Sequence, residues 1–376
     1  MNQSILIVAG EPSGDNIGGL LAAELKLLRP DLELFGLGGD RMDVSGVEIR
    51  YHINQLSFLG FWEVVKHIPF LKRVKNDLFE QVSQRRPSLA ILIDYPGFNL
   101  SLAGKLKSMD VPVMYYVSPQ VWAWGKRRIG KIRKTVDKMV VVFQFEKEMY
   151  EKEGVPAEWY GHPLLDIVQS THGREDLLKA AGLNSDSKYI GLFPGSRRQE
   201  VERILPVMRE AITLSSKSGL TSEGIVGCAP GLDDHFYREI GGGNLRYVRG
   251  LTYDLMGHAE LNLVASGTAT LECAVLQSPL FVLYKTSALT YMLARRLISI
   301  PYIGLVNVVA GEKIVPEFIQ GECRGDLIAR GIAGFLKEGD TRHRMSERLS
   351  QLKESLGENG ASRKVAEAAL GMLATS

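Results

Sequence analysis

The sequence predicts an α/β fold: two doubly wound, Rossmann-like domains in tandem, facing a cleft. Three observations carry this. Ile5-Leu-Ile-Val-Ala-Gly-Glu-Pro-Ser-Gly-Asp15 runs from an apolar strand through a glycine turn into a helical stretch, and Tyr189-Ile-Gly-Leu-Phe-Pro-Gly-Ser-Arg-Arg-Gln-Glu200 repeats that order near the midpoint. Elsewhere short apolar runs alternate with helical patterns, the mark of parallel sheets covered on both faces. The length of 376 residues, 45% of them hydrophobic, suggests two to three domains with full cores. At each opening βα unit, backbone N–H groups of a helix N-terminus face whatever binds.

In the first half, strands are expected at Ser4–Ala9, Glu33–Leu37, Leu89–Ile93, Val113–Tyr116 and Lys138–Val142. The last, Lys138-Met-Val-Val-Val-Phe, is too short and too β-branched for a helix. Helices are expected over Ile17–Leu28, Leu71–Gln84, Leu100–Lys107 and Phe145–Glu153. Tyr160-Gly-His-Pro163 through Gly173 reads as the link, dividing a domain of residues 1–168 from one of residues 169–376. The second half offers strands near Ile190–Phe193, Gly224–Ala229, Leu245–Val248, Leu261–Val264 and Leu280–Leu283, with helices at Glu200–Ser215 and Ala269–Leu276. A charged helical stretch, about 341–376, closes the chain and is open to packing back on the first domain or on a partner.

Composition excludes several classes. A net charge of +2 rules out the whole molecule as a polyanion binder, so any basic function must be local. Three cysteines without metal spacing (Cys228, Cys273, Cys323) fit a reducing cytosol better than a disulfide framework. The N-terminus shows no basic signal-peptide region, and no uncharged apolar run reaches the roughly 18–20 residues of a spanning helix. The seven histidines are scattered and no spacing suits a metal, so neither metal nor cofactor is expected.

Four constellations could carry chemistry. Gly195-Ser196-Arg197-Arg198 is a turn feeding a helix, with free N–H donors and an arginine fork suited to phosphate oxygens, or else an ordinary N-cap with surface arginines. Ser266-Gly267-Thr268 leaves a second strand in the same way, and Glu272 follows where a carboxylate could accept both hydroxyls of a ribose; the alternative is a solvated helix face. Together the two suggest a nucleotide-diphosphate site.

Asp94 ends the strand Leu89–Ile93 before a Pro-Gly turn. Ligands of open α/β sheets bind at such ends, where a desolvated carboxylate could take a proton from a hydroxyl, though Asp is also good turn chemistry. Ser13 and Asp15 divide the same way, between helix capping and a polar wall facing substrate. Lastly, Phe58, Phe61, Trp62, Val65, Phe70 and Leu71 mix with Lys66, Lys72, Arg73 and Lys75, and Lys126–Lys134 holds six basic residues in nine after Trp122 and Trp124. Cations beside aromatics favour an anionic membrane surface over nucleic acid; a core-facing helix and a solvated face are the plainer readings.

The order of motifs resembles the lipid-A-disaccharide synthase family. The stretches are Ala9-Gly-Glu-Pro-Ser-Gly-Asp15, Gly38-Gly-Asp-Arg-Met42, Asp94-Tyr-Pro-Gly-Phe-Asn99, Val117-Ser-Pro-Gln-Val-Trp-Ala-Trp124, Gly161-His-Pro163, Pro194-Gly-Ser-Arg197, Ser266-Gly-Thr-Ala-Thr-Leu-Glu272 and Pro316-Glu-Phe-Ile-Gln320, spanning nearly the whole chain. The resemblance implies the GT-B fold and an inverting, metal-independent hexosyltransferase. Its substrates would be UDP-2,3-diacylglucosamine and 2,3-diacylglucosamine 1-phosphate, and its products the β(1→6) lipid A disaccharide 1-phosphate and UDP. It further implies lipopolysaccharide biosynthesis in a Gram-negative bacterium, peripheral attachment at the cytoplasmic face of the inner membrane, no nucleic-acid partner, and room for a homodimer.

Carried onto this chain, Asp94 would be base or orienter, with Ser13 and Asp15 on the acceptor side. Arg197 of the 195–198 turn would meet the UDP phosphates and Glu272 the ribose, while Asn307, Glu317 and Gln320 would lie near the nucleotide or donor sugar. One departure stands out: the family's Leu-Pro-Asn is Leu305-Val306-Asn307 here, so the loop lacks a proline's restraint on φ. The rival readings are another GT-B enzyme, such as a UDP-sugar epimerase or a transferase with a soluble acceptor, and a non-catalytic nucleotide-sensing or RNA-associated protein using Lys126–Lys134.

Overall fold

A computed structural model of the chain describes residues 3–55, 68–123, 125–287, 291–292 and 301–374. Phe58, Phe61, Trp62 and Val65 of the expected membrane patch lie outside them, as does Trp124. The chain divides into two compact units, Met1–Ile167 with Leu356–Ser376, and Val168–Ser355.

The first unit holds seven parallel strands: β1 Ser4–Ala9, β2 Glu33–Gly38, β3 Val47–His52, β4 Leu89–Ile93, β5 Val113–Tyr116, β6 Lys138–Val141 and β7 Ala157–Trp159. Their order is β3-β2-β1-β4-β5-β6-β7. β1 and β4 are buried along their whole length, as near-continuous apolar runs in a covered parallel sheet should be. On one face Leu6, Val8, Phe35, Leu37, Ala90 and Leu92 join Leu78, Val82, Leu102 and Leu106 in the core. The helix Pro12–Leu28 packs against β1 and β4, and it also meets the last helix, Ala361–Ala374, which touches β4.

The charged C-terminal stretch of about 341–376 divides between the two units. A helix over Gly339–Ser355 stays with the second unit, the chain breaks at 356–360, and Ala361–Ala374 belongs to the first. Asp166 fixes the return: its carboxylate accepts from the N–H groups of Gly360 (2.6 Å) and Ser362 (3.1 Å), capping the helix start. Within the Gly161-His-Pro163 motif, the N–H of His162 donates to the Leu356 carbonyl at 2.8 Å. Its buried ring accepts from the Leu164 N–H at 3.1 Å, and desolvation pushes its pKa down to about 3, so the imidazole is a neutral structural acceptor.

The second unit has six parallel strands: β8 Tyr189–Phe193, β9 Glu223–Cys228, β10 Arg246–Arg249, β11 Leu261–Ala265, β12 Leu280–Tyr284 and β13 Glu317–Ile319, in the order β10-β9-β8-β11-β12-β13. The segment entering it is tied down by Asp254, whose carboxylate accepts from the Ser170 hydroxyl (2.8 Å) and from the N–H groups of Thr171 and His172 (2.7 Å each).

Both sheets reverse direction of winding once, between β1 and β4 and between β8 and β11. In open parallel sheets the crevice beyond the strand ends at such a reversal is the ligand site. The sequence motifs fall at these two points.

Candidate active site

In the first unit, β1 ends at Ala9 paired with Ile93, the last residue of β4. Gly10-Glu11 and Asp94-Tyr95 therefore leave neighbouring strands side by side. Gly10 is required here: a Cβ on it would lie 2.2 Å from the Tyr95 ring. Asp94 and Tyr95 both take left-handed backbone, φ 46° and 47°, and so does Val117 at the end of β5 (φ 63°). For Val and Tyr such geometry costs on the order of 1–3 kcal/mol and persists only where the surroundings enforce it. The Asp94 side chain is half-buried. Burial, reinforced by the Glu11 carboxylate, pushes its pKa up to about 6, against a smaller stabilisation from the Tyr95 N–H. A carboxyl in this range can exchange a proton near neutral pH.

Asp15 does not present its carboxylate as a polar wall. It is buried, and its oxygens accept from the N–H groups of Gly39 (2.6 Å), Arg41 (3.1 Å) and Met42 (3.2 Å). It thus holds the Gly38-Gly-Asp-Arg-Met42 turn and caps the short helix Asp40–Val44. Ser13 lies half-buried in the first turn of the neighbouring helix. Glu146 is a residue the motifs did not single out. It is 1% exposed, and its carboxylate gathers the Ser118 hydroxyl (2.7 Å), the Trp122 indole N–H (3.0 Å) and the N–H groups of Val142 and Phe143. This shapes the Val117–Ala123 segment beside Asp94.

In the second unit, the reversal point joins the two glycine turns. β8 leads into Pro194–Arg197 and the helix Arg198–Lys217, while β11 leads into Ser266–Thr268 and the helix Ala269–Val275. Gly195 has φ 111°, and a Cβ there would meet Glu200 at 2.3 Å. Ser196 and Arg197 are exposed, and the Arg197 guanidinium pairs with Glu200 at 3.2 Å. An exposed pair of this kind is weak enough for a bound anion to compete with it. Arg198 instead lies 4.0 Å above the Phe236 ring. Glu272 is half-buried in its helix, and desolvation pushes its pKa up to about 7.

Asn307 and Glu317 turn inward and spend their polar groups on the protein itself. The Asn307 amide donates to the Val315 carbonyl and to Glu317 (2.9 Å each), while its oxygen accepts from the N–H groups of Ile314 and Val315. Glu317 also accepts from the Ile303 and Gly304 N–H groups. The Ile303 carbonyl in turn accepts from the Ser266 hydroxyl at 2.9 Å. The pair therefore builds the wall on which the second glycine turn rests. Val306, in the family's proline position, is buried in the first turn of the helix Leu305–Ala310, so this clamp rather than a fixed φ holds the loop. Gln320, at φ 50°, accepts from the Thr286 N–H at 3.0 Å.

Of the greasy patch, Phe70 and Leu71 are described, and both pack against the first unit's core. In the basic run, Ile129 and Ile132 are buried while Arg127, Lys131, Arg133 and Lys134 are exposed, a one-sided cationic face. Among the described residues no helix is long and apolar enough to cross a membrane, and no three His, Cys, Asp or Glu side chains are grouped to hold a metal ion.

Comparison with solved structures places the fold. The chain superposes over 99% of its length on a UDP-GlcNAc 2-epimerase from Neisseria meningitidis (TM-score 0.66, 13% identity, 100% of that chain). It matches the calicheamicin glycosyltransferase CalG4 over 98% of both chains (TM-score 0.61, 13% identity). Both likenesses are of fold alone, a fold shared by epimerases and transferases. Sequence separates them. The family described as lipid-A-disaccharide synthetase matches residues 5–371. Lipid-A-disaccharide synthases from Syntrophus aciditrophicus (40% identity, 99% of this chain, 98% of the relative) and Myxococcus xanthus (37%, 98% and 97%) align almost end to end. With the glycine turns and Asp94 placed at the two reversal points and relatives of this extent, the chain belongs to the lipid-A-disaccharide synthase family of glycosyltransferases.

Proposed function

We propose that the protein transfers 2,3-diacylglucosamine from UDP to the 6-hydroxyl of 2,3-diacylglucosamine 1-phosphate, with inversion and without a metal. The observation that carries this is Asp94: a strained, half-buried carboxyl at the first unit's reversal point, with its pKa raised toward neutrality. As base it takes the acceptor O6–H proton while O6 forms its bond to the anomeric carbon. The bond from that carbon to the phosphate oxygen breaks, and its electron pair leaves with UDP. Arg197, released from Glu200, and the N–H groups of the 195–198 turn stabilise the charge developing on the diphosphate. Glu272 accepts the ribose hydroxyls, and Gln320 lies nearer the donor sugar. The exposed cations of 127–134 meet anionic headgroups, which would keep the enzyme peripheral at the cytoplasmic face of the inner membrane.

Purified protein incubated in detergent with both acylated substrates should yield the disaccharide 1-phosphate and stoichiometric UDP. Absence of product, or turnover of the UDP-sugar without the acylated acceptor, would sink the reading. The ribose role of Glu272 has a separate test. An ionised carboxylate accepts ribose hydroxyls better than a protonated one, so UDP affinity should rise about tenfold from pH 6 to pH 8 relative to Glu272→Gln. Titration calorimetry showing parallel pH profiles for the two proteins would remove Glu272 from the site.

A further inference from the structure

Two side chains converge on one peptide carbonyl, that of Asp94. Asn99, in the helix Pro96–Lys107, is 0% exposed. Its amide nitrogen donates to the Asp94 carbonyl at 2.8 Å, to Ile93 at 3.1 Å and to Val8 at 3.5 Å, stapling the end of β4 to β1. From β5 on the other side, the fully buried Tyr115 donates its hydroxyl to the same Asp94 carbonyl at 2.6 Å. The Asp94 N–H meanwhile donates to the Tyr116 carbonyl at 3.0 Å. Every polar group of that residue's backbone is held.

We propose that Asn99 and Tyr115 are positioning residues of the reaction, locking the left-handed Asp94 backbone so that its carboxylate keeps one aim and one degree of burial; this rests on the reading of Asp94 as base. The Asn99 side-chain oxygen is buried without a hydrogen-bond partner, while its NH2 group serves three carbonyls at one strand end. Without the clamp, a left-handed Asp-Tyr pair ahead of Pro96 has lower-energy backbone states to relax into. The groups acting on Asp94 are Glu11 beyond β1, the Tyr95 N–H, and Tyr115 from β5, itself under the influence of Arg128. A small rotation of the Asp94 peptide would change both its distance from Glu11 and its access to water.

Tyr115→Phe removes one hydroxyl and leaves the ring to fill its space, so it should fold. Its kcat should fall about tenfold, with KM for the UDP-sugar and UDP affinity unchanged. The acidic limb of its kcat–pH profile should move to lower pH as the loosened carboxyl gains water. Asn99→Ser should lose more, in the same pattern, if it folds. A Tyr115→Phe enzyme with normal kcat and an unmoved acidic limb, whatever its Tm, would overturn the positioning role. Asp94→Asn separates the two claims. A live Asp94→Asn enzyme defeats the base itself, whereas a dead one beside a normal Tyr115→Phe enzyme defeats only the clamp.

Discussion

Asp94→Asn is expected to lower kcat about 10³-fold while raising the stability of the folded protein at pH 8. The two effects share one cause. In the folded chain, burial and Glu11 lift the carboxyl pKa from its ordinary 3.8 to about 6. The native state therefore holds this proton more tightly than the unfolded chain does. The stability this contributes is complete below about pH 4 and is lost as pH rises through about 6, because the native state must then bury a charge. Asparagine has no proton to lose, so the variant escapes that decline. The expected gain over wild type at pH 8, relative to pH 4, is on the order of 1–2 kcal/mol. Denaturant melts at the two pH values, beside turnover assays, check both halves. Near-normal turnover would remove Asp94 as base, and identical pH dependence of stability in the two proteins would show that the site is not strained by charge.

Asn307→Ala should be the most damaging single change in the second unit. The side chain satisfies two N–H groups, one carbonyl and part of the Glu317 carboxylate, all buried except the partly exposed Ile314 N–H. Its loss leaves several of these without partners, for a cost of about 3 kcal/mol. In calorimetry the transition carrying this unit should drop by roughly 5–10 °C. The Ile303–Gly304 turn would loosen with it, and through the Ser266 contact the donor KM should rise. Asn307→Asp should not rescue, since a second carboxylate would face Glu317. Unchanged melting would mean that the loop is held elsewhere.

How far the sequence could be read depended on the kind of interaction. The central strands were legible because a strand buried on both faces is an unbroken apolar run, as in Leu89–Ile93 and Leu280–Leu283. β3 escaped because Val47-Glu-Ile-Arg-Tyr-His52 is an edge strand with mostly partly exposed residues, and β7 and β13 because three residues give no period. The glycine turns were legible as chemistry, since they use local backbone. The aim of Asp15, Asn307 and Glu317 was not, because each bonds backbone brought to it by the tertiary fold. Asn99 offered one signal: an amide five residues after the strand-end acid, early in the next helix. Tyr115 and Glu146 offered none beyond their burial.

The return of Ala361–Ala374 to the first unit bears on how the protein is made. The second unit, Val168–Ser355, is threaded into the first between Ile167 and Leu356. At roughly 5–20 residues per second, a ribosome spends on the order of ten seconds or more on that insert. Throughout that interval the nascent first unit lacks the helix that covers Pro12–Leu28, and Asp166 has no helix start to cap. The half of the molecule synthesised first is thus the last to be completed, and its open apolar face is the surface a chaperone would meet.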